Sequence, residues 1–268
     1  MALLRDKLAI VRGGGDLATG VIYRLWRCGF RVLCLETALP LVVRRPVSVA
    51  QAVFDGRHVI EEMEALLFED TDSWTDLETV GVLIDPKGES IAKLAPDLVV
   101  DCIMAKRYTG TTRSMAPLVL AIGPGFSAPD QVHGVIETKR GHYLGRLITD
   151  GCAIPNTGIP GVEMGYSVER LLRSPADGYV LPVRTIGDHV EAGDLVAKVA
   201  GREVRAKITG VLRGLIHESV PVERGLKIGD VDPRDERDHC FSITDKALAI
   251  AGGVLEAVMR MGMGGMGL

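Results

Sequence analysis

Hydrophobic and polar positions follow two rhythms along the 268 residues. Near the start, an apolar run over residues 8–11 stops at three glycines, Gly13, Gly14 and Gly15. Apolar positions then recur at helical spacing (Val21, Ile22, Leu25, Trp26), a break falls at Gly29, and a second apolar run ends at Glu36. This order predicts strand, glycine turn, helix, strand. Ser48 and Gln51 have the spacing of a capping box for a short helix ending at Asp55 and Gly56. Near-continuous apolar runs at 80–84, 97–106 and 118–122, separated by a helical turn at 91–94, predict parallel strands buried on both faces. Residues 59–68 fit a helix or a strand equally. After Pro175 the rhythm shortens to small strands broken by Gly and Asp corners. At the end, Ala247, Leu248, Ile250, Ala251, Val254, Leu255 and Val258 share one helical face, with Ser242 or Thr244 as N-cap.

These patterns predict an α/β protein in three parts. Residues 1–172 form a Rossmann-like parallel-sheet domain and 173–234 a small β-barrel. Residues 235–268 carry a helix that packs back on the first domain, then a disordered Met/Gly tail.

Composition narrows the functional classes. A net charge of −4 without a basic block, and 4% aromatic residues, argue against a nucleic-acid partner. No apolar run is long enough for a membrane span, and Arg5, Asp6 and Lys7 interrupt any signal-peptide pattern. Five scattered cysteines, never as CxxC, fit a reducing, cytoplasmic setting without a structural zinc site. Association into a homo-oligomer is compatible with everything in the sequence.

The chemistry concentrates in two stretches. Gly13-x-Gly15-x-x-Ala18 matches the dinucleotide fingerprint, and Glu36 falls where an acidic side chain takes a ribose hydroxyl pair. Gly13, Gly14 and Gly15 let the backbone approach a phosphate, and first-turn N–H groups supply partial positive charge. Asp16, in that same turn, can satisfy those N–H groups itself and would repel a phosphate placed too close. Residues 136–146 bring Glu137, Lys139, Arg140, His142 and Arg146 together around two glycines. Arg140 and Arg146 have forks suited to a second anionic group, and His142 is a candidate acid or base. Asp85, residues 101–106, Gly123 and Gly125 fall at the carboxyl ends of predicted strands, the edge where such sheets bind ligands. Cys102 and Cys152 are candidate nucleophilic cysteines, provided either is an exposed thiolate; a buried cysteine is a small hydrophobe.

Two resemblances add to this reading. The two glycine-cornered halves of residues 175–231 resemble a biotinyl/lipoyl-like barrel, but the tip near 200–203 has no lysine, which makes it a structural or docking element. RGGGDLATG, AVFDG, IGPGF, VIETKRGHYLGR, PNTGIPG and GLKIGDVDPR, in that order, resemble the YqeB family, accessory proteins of the selenium-dependent molybdenum hydroxylase system. That resemblance implies a role in maturing or inserting the selenium-containing molybdenum cofactor, with a molybdenum hydroxylase or its maturation proteins as partners. The ligand expected is a small phosphate-bearing molecule, a nucleotide or a molybdopterin-type compound. The alternatives are a nucleotide-sensing adaptor that docks a hydroxylase without catalysis, and an NAD(P)-linked oxidoreductase. The last lacks a recognisable hydride-transfer constellation.

Overall fold

The computed structural model describes residues 4, 6–74, 78–105, 107–156, 158 and 161–262. The chain divides into two units, one of residues 1–38, 49–156 and 243–268, the other of residues 39–48 and 157–242.

In the first unit the chain runs β1 (Leu8–Arg12), α1 (Asp16–Arg27), β2 (Arg31–Glu36), α2 (Ala52–Asp55), β3 (Arg57–Ile60), β4 (Met63–Phe68), β5 (Val80–Ile84), α3 (Ser90–Leu94) and β6 (Leu98–Asp101). It continues through β7 (Leu118–Ile122), β8 (Ser127–Ala128), β9 (Gly134–Ile136), β10 (Leu147–Ile148) and β11 (Gly151–Cys152), and returns with α4 (Asp245–Met261). Nine strands form one sheet in the order β10-β9-β7-β6-β1-β2-β5-β4-β3, and β8 pairs with β11 apart from it. Every residue of β1 and β7 is buried, as their uninterrupted apolar runs require.

Helix α1 buries Ala18, Val21, Ile22 and Leu25 and places Asp16 in its first turn and Arg24 and Arg27 in its last, complementing the helix dipole at both ends. It packs on α4. Thr244 caps α4, its side chain accepting the Ala247 N–H at 3.1 Å. The helices approach closely because small residues face each other: a Cβ on Gly20 would lie 2.7 Å from the backbone of Ala247.

The expected combination of a Rossmann-like parallel sheet with a small biotinyl/lipoyl-like barrel is not the architecture found. The sheet is mixed: β3 and β10 run antiparallel to their neighbours and close both edges. Residues 57–68, ambiguous by periodicity, form the β3–β4 hairpin at one edge, burying Ile60, Met63 and Ala65. The connections are also not a series of covering helices. The path from β2 to β4 uses 3-10 turns, the four-residue α2 and the hairpin, and α3 has five residues. Ser48 does not cap a helix; its hydroxyl donates to Arg44 O at 2.7 Å. Between β6 and β7, Gly110, the threonines at 111 and 112 and Pro117 provide no apolar helical period, so that segment stays a loop with one 3-10 turn.

The second unit contains β12 (Leu171–Arg173), β13 (Gly178–Pro182), β14 (His189–Val190), β15 (Leu195–Val199), β16 (Arg202–Arg205), β17 (Gly210–Leu215), β18 (Pro221–Val222) and β19 (Lys227–Asp232). They form two antiparallel four-stranded sheets, β12-β19-β17-β14 and β16-β15-β13-β18, in place of the single barrel expected. Residues 39–48 join this unit through Arg45, whose Nε donates to Leu215 O at 2.8 Å, and Val43, whose carbonyl oxygen would lie 2.7 Å from a Cβ on Gly214. Among the described residues no helix is long and apolar enough to cross a membrane.

Two outcomes follow for stability. Gly20→Ala gains up to about 1 kcal/mol of helix propensity but must push α4 away, and overpacking costs about 1–3 kcal/mol; urea unfolding is expected to show net destabilisation, and a stabilised variant would contradict this packing. In the second unit Asp232 is fully buried. Burial opposes its charge, but hydrogen bonds from the Arg234 side chain and backbone and the charges of Arg213 and Arg234 outweigh it, and the carboxyl titrates at about 2 instead of 3.8. A depressed carboxyl stabilises the fold above its unfolded pKa, and that contribution disappears as pH falls toward 2. Asp232→Asn should therefore flatten the stability profile between about pH 5 and pH 2 by about 2 kcal/mol; an unchanged profile in acid unfolding would rule this out.

Candidate functional site

Gly13 and Gly14 end β1 in a turn that only residues without a side chain can make. A Cβ on Gly13, which has φ +90°, would lie 3.1 Å from the Cys102 carbonyl oxygen, and one on Gly14 would lie 2.8 Å from Ala50 N and 2.9 Å from Cys34 Sγ. The turn is held from within the protein. Gly13 N–H donates to Leu35 O at 2.8 Å, and Gly14 N–H to Glu36 Oε2 at 2.7 Å. Gly14 O accepts the Ala50 N–H at 2.9 Å. Glu36 Oε1 also accepts the Thr37 N–H at 2.8 Å, so both carboxylate oxygens of Glu36 serve the backbone. Gly15 is the N-cap residue of α1 and provides no side-chain cap, and Ala18 is buried in the helix interface.

Beneath the turn lies a buried polar network. Arg12, the last residue of β1, faces Asp101, the last of β6, at 3.7 Å. Arg12 Nη1 donates to Thr111 Oγ1 at 2.5 Å and Nη2 to Pro86 O at 3.2 Å. Asp101 Oδ2 accepts from the hydroxyls of Thr109 and Thr111, both at 2.6 Å. The strip of backbone above continues along the sheet edge, since a Cβ on Gly123 would lie 2.7 Å from Thr138 Oγ1 and 3.0 Å from Met104 Sδ, and one on Gly125 would lie 3.0 Å from Arg107 N. The structure therefore brings Gly13, Cys102, Met104, Gly123, Gly125 and Thr138 into one continuous edge. Asp85 is used locally, accepting the N–H groups of Gly88, Glu89 and Ser90.

The segment after β9 meets α4. Glu137 is buried and accepts the N–H groups of Lys139 (2.7 Å) and Ile154 (2.8 Å). Arg140 turns its fork onto Asp245, at 2.9 and 3.3 Å. Arg146 stacks over the Tyr143 ring at 5.3 Å, and the exposed His142 packs edge-on against the same ring at 5.4 Å.

Lys246, next to Asp245, is the residue that joins the two stretches. It is half-buried; burial and the charge of Arg140 push its pKa down, while Asp16, Glu137 and Asp245 pull it up, and the net direction is down. No carboxylate among the described residues stands within ion-pair distance of its ammonium. The ammonium thus lies within electrostatic reach of Asp16 in the first turn of α1 and of Glu137 and Arg140. Periodicity alone hides Lys246, because it precedes the apolar face of α4. One signal was available: a lysine in the first turn of a helix opposes the dipole and needs another reason to be there.

The cysteines separate by environment. Cys102 is buried, and burial with the charge of Asp101 holds its thiol well above the ordinary range. Burial, Glu36 and Cys102 do the same to Cys34. Cys152, on β11, is exposed. Among the described residues no group of three or more His, Cys, Asp or Glu side chains is arranged to hold a metal ion. Lys106, residues 157, 159 and 160 of the PNTGIPG stretch, and the 263–268 tail lie outside the described residues.

No family model matches the chain. It is 45% identical over 258 residues to "Uncharacterized protein YqeB" of Escherichia coli strain K12, an alignment covering 95% of this chain and 48% of that protein. A shorter similarity, 33% identity over 124 residues, links 43% of the chain to 38% of "Eukaryotic translation initiation factor 3 subunit I" of Anopheles gambiae. The chain thus spans about half or less of the curated relatives it matches. Among solved structures it is similar to an aspartoacylase family protein from Mesorhizobium loti (12% identity, 84% of each chain, TM-score 0.28). It is also similar to the ectoine utilization protein EutE (DoeB) from Ruegeria pomeroyi (13% identity, 84% of each chain, TM-score 0.25). Likenesses this weak carry no argument about fold or activity. The similarity to YqeB extends through nearly the whole of this chain.

Proposed function

We propose that this chain is an accessory protein for maturation or insertion of the selenium-containing molybdenum cofactor of molybdenum hydroxylases. Its first unit holds a phosphate-bearing ligand, a nucleotide or molybdopterin-type compound, along the carboxyl edge of β1, β6 and β7. The biological setting draws its support from the YqeB similarity and from the motifs that resemble that family. The ligand part is carried by one observation, the half-buried ammonium of Lys246, near enough to the α1 first turn to feel the charge of Asp16, with no carboxylate among the described residues at ion-pair distance. Desolvating a cation is costly unless an anion accompanies it, and a phosphate oxygen would accept from both the ammonium and the α1 first-turn amides. Asp16 limits how closely a dianion approaches Gly15, so Lys246 meets most of the charge. Glu36 and Arg140 act on the protein: Glu36 shapes the glycine turn, and Arg140 ties the 137–146 segment to α4 through Asp245. Arg146 and His142 remain at the exposed rim as groups for the rest of the ligand or for a protein partner. A sulfur- or selenium-carrying role falls to Cys152, because the thiol of Cys102 is buried and held protonated.

Calorimetry and thermal unfolding with CTP, NAD and molybdopterin test the ligand. At a hundredfold excess over Kd, one of them should raise Tm by several degrees, roughly the 2.7 kcal/mol of linkage at that saturation. Lys246→Met should weaken that ligand at least about tenfold, the loss expected for one charge-assisted contact. No response to any of the three ligands, or equal affinity in the variant, overturns the ligand site. For the carrier role, iodoacetamide followed by peptide mass mapping should label Cys152 in the native protein, and Cys34 and Cys102 after denaturation. Rapid native labelling of Cys102 would reverse the assignment.

A further inference from the structure

Strand β9 is joined to β7 by a side chain as well as by backbone. At the first rung His133 N–H donates to Val119 O at 2.8 Å, an ordinary strand bond. The N–H of Val119 points the same way but has no backbone acceptor there. The N–H groups of Gln131 and Val132 turn back to Ser127 O, at 3.1 and 3.3 Å, and carry the chain away from β7. Val119 is fully buried, so its amide must find a partner inside the protein. It donates to His133 Nδ1 at 2.9 Å. The imidazole thus stands where a strand carbonyl is missing.

That bond fixes the protonation of the ring. Nδ1 accepts only with its lone pair free, which leaves the proton on Nε2 and the imidazole neutral. A second proton, on Nδ1, would set one N–H against another. Burial, and then the charge of Arg113, push the His133 pKa below its ordinary value. Of the elements packed against His133, the 3-10 turn at 113–115 brings the one charge that acts on it, and Arg113 Nη1 itself donates to Pro129 O at 2.7 Å. No carboxylate among the described residues stands within ion-pair distance to stabilise an imidazolium. The rung secures little structure: β9 has three residues and β10 two, at one edge of the sheet. These two strands frame the 137–146 segment, closed by Glu137 N–H donating to Arg146 O at 3.0 Å and Gly145 N–H to Glu137 O at 2.9 Å.

We propose that His133 is a proton-operated latch on this edge: neutral, it pairs with Val119 and holds β9 on β7; protonated, it releases Val119 and loosens the frame of the 137–146 segment. The latch is independent of any ligand in the first unit. A folded imidazole that resists protonation more than an unfolded one makes acid favour the open form. The latch is therefore closed above the ordinary histidine pKa of about 6.5. Below it the open population grows by up to about tenfold per pH unit, until the folded imidazole itself titrates.

Nuclear magnetic resonance on the full chain tests it. The imidazole nitrogen shifts at neutral pH should show a proton on Nε2 and none on Nδ1, with a titration midpoint below that of histidine in the denatured chain. Hydrogen-exchange protection of the Val119 amide, corrected for the intrinsic rate at each pH, should be level above about pH 6.5 and fall several-fold by about pH 5.5. The amides of β9 and β10 should follow, and those of β1 should not. His133→Asn places Oδ1 at the same point along the side chain and does not titrate; it should keep Val119 protected and abolish the acid loss. A proton on Nδ1, a midpoint at or above the denatured value, or the same acid loss in the variant overturns the proposal. Should the Asn variant fail to fold, the tautomer and midpoint of the unmodified chain decide.

Discussion

The first unit depends on the ion pair between Arg12 and Asp101. Both residues end central strands and both are buried, so neither charge is tolerable alone. Thr109, Thr111 and the carbonyl of Pro86 complete the hydrogen bonding. One salt bridge thereby fixes the ends of β1 and β6 and two of the loops that leave the sheet. Removing one partner would strand a buried charge, a loss of about 3–5 kcal/mol. The close passage of Gly13 over Cys102 is a result of that anchoring, since the loop it crosses cannot retreat.

Much of the local structure was legible in the residues. The strand, glycine turn, helix and second strand are dictated by apolar runs and breakers that act over a few residues, and Thr244 caps α4 through contacts within one turn. What the sequence concealed depends on partners far along the chain. Glu36 has the position of a ribose ligand, yet its oxygens reach the backbone at Gly14 and Thr37. Arg140 has the look of an anion clamp, but its partner Asp245 is about a hundred residues away. The mixed sheet was hidden because β3, β4 and β10 are too short for a period to tell strand from helix or to show strand direction. Nothing local in residues 39–48 shows that Arg45 and Val43 pack against β17 in the second unit.

The two units share an electrostatic logic. Where a cation is structural, as at Arg12 or Arg234, carboxylates and hydroxyls surround it in hydrogen-bonding geometry. Lys246 is half-buried, and no carboxylate among the described residues stands at ion-pair distance from it. A desolvated cation without such a partner costs folding energy, which sets Lys246 apart from the cations of the scaffold.

Gly145 and Gly253 show how α4 is seated. A Cβ on Gly253 would lie 2.1 Å from the Gly145 carbonyl oxygen, and one on Gly145 would lie 2.4 Å from the carbonyl oxygen of Ala249. Backbone therefore rests directly on backbone, with no side chain to act as a cushion. A methyl group at either position would have nowhere to go without lifting the helix bodily off the β9–β10 turn, so the seat of α4 tolerates no side chain at all there.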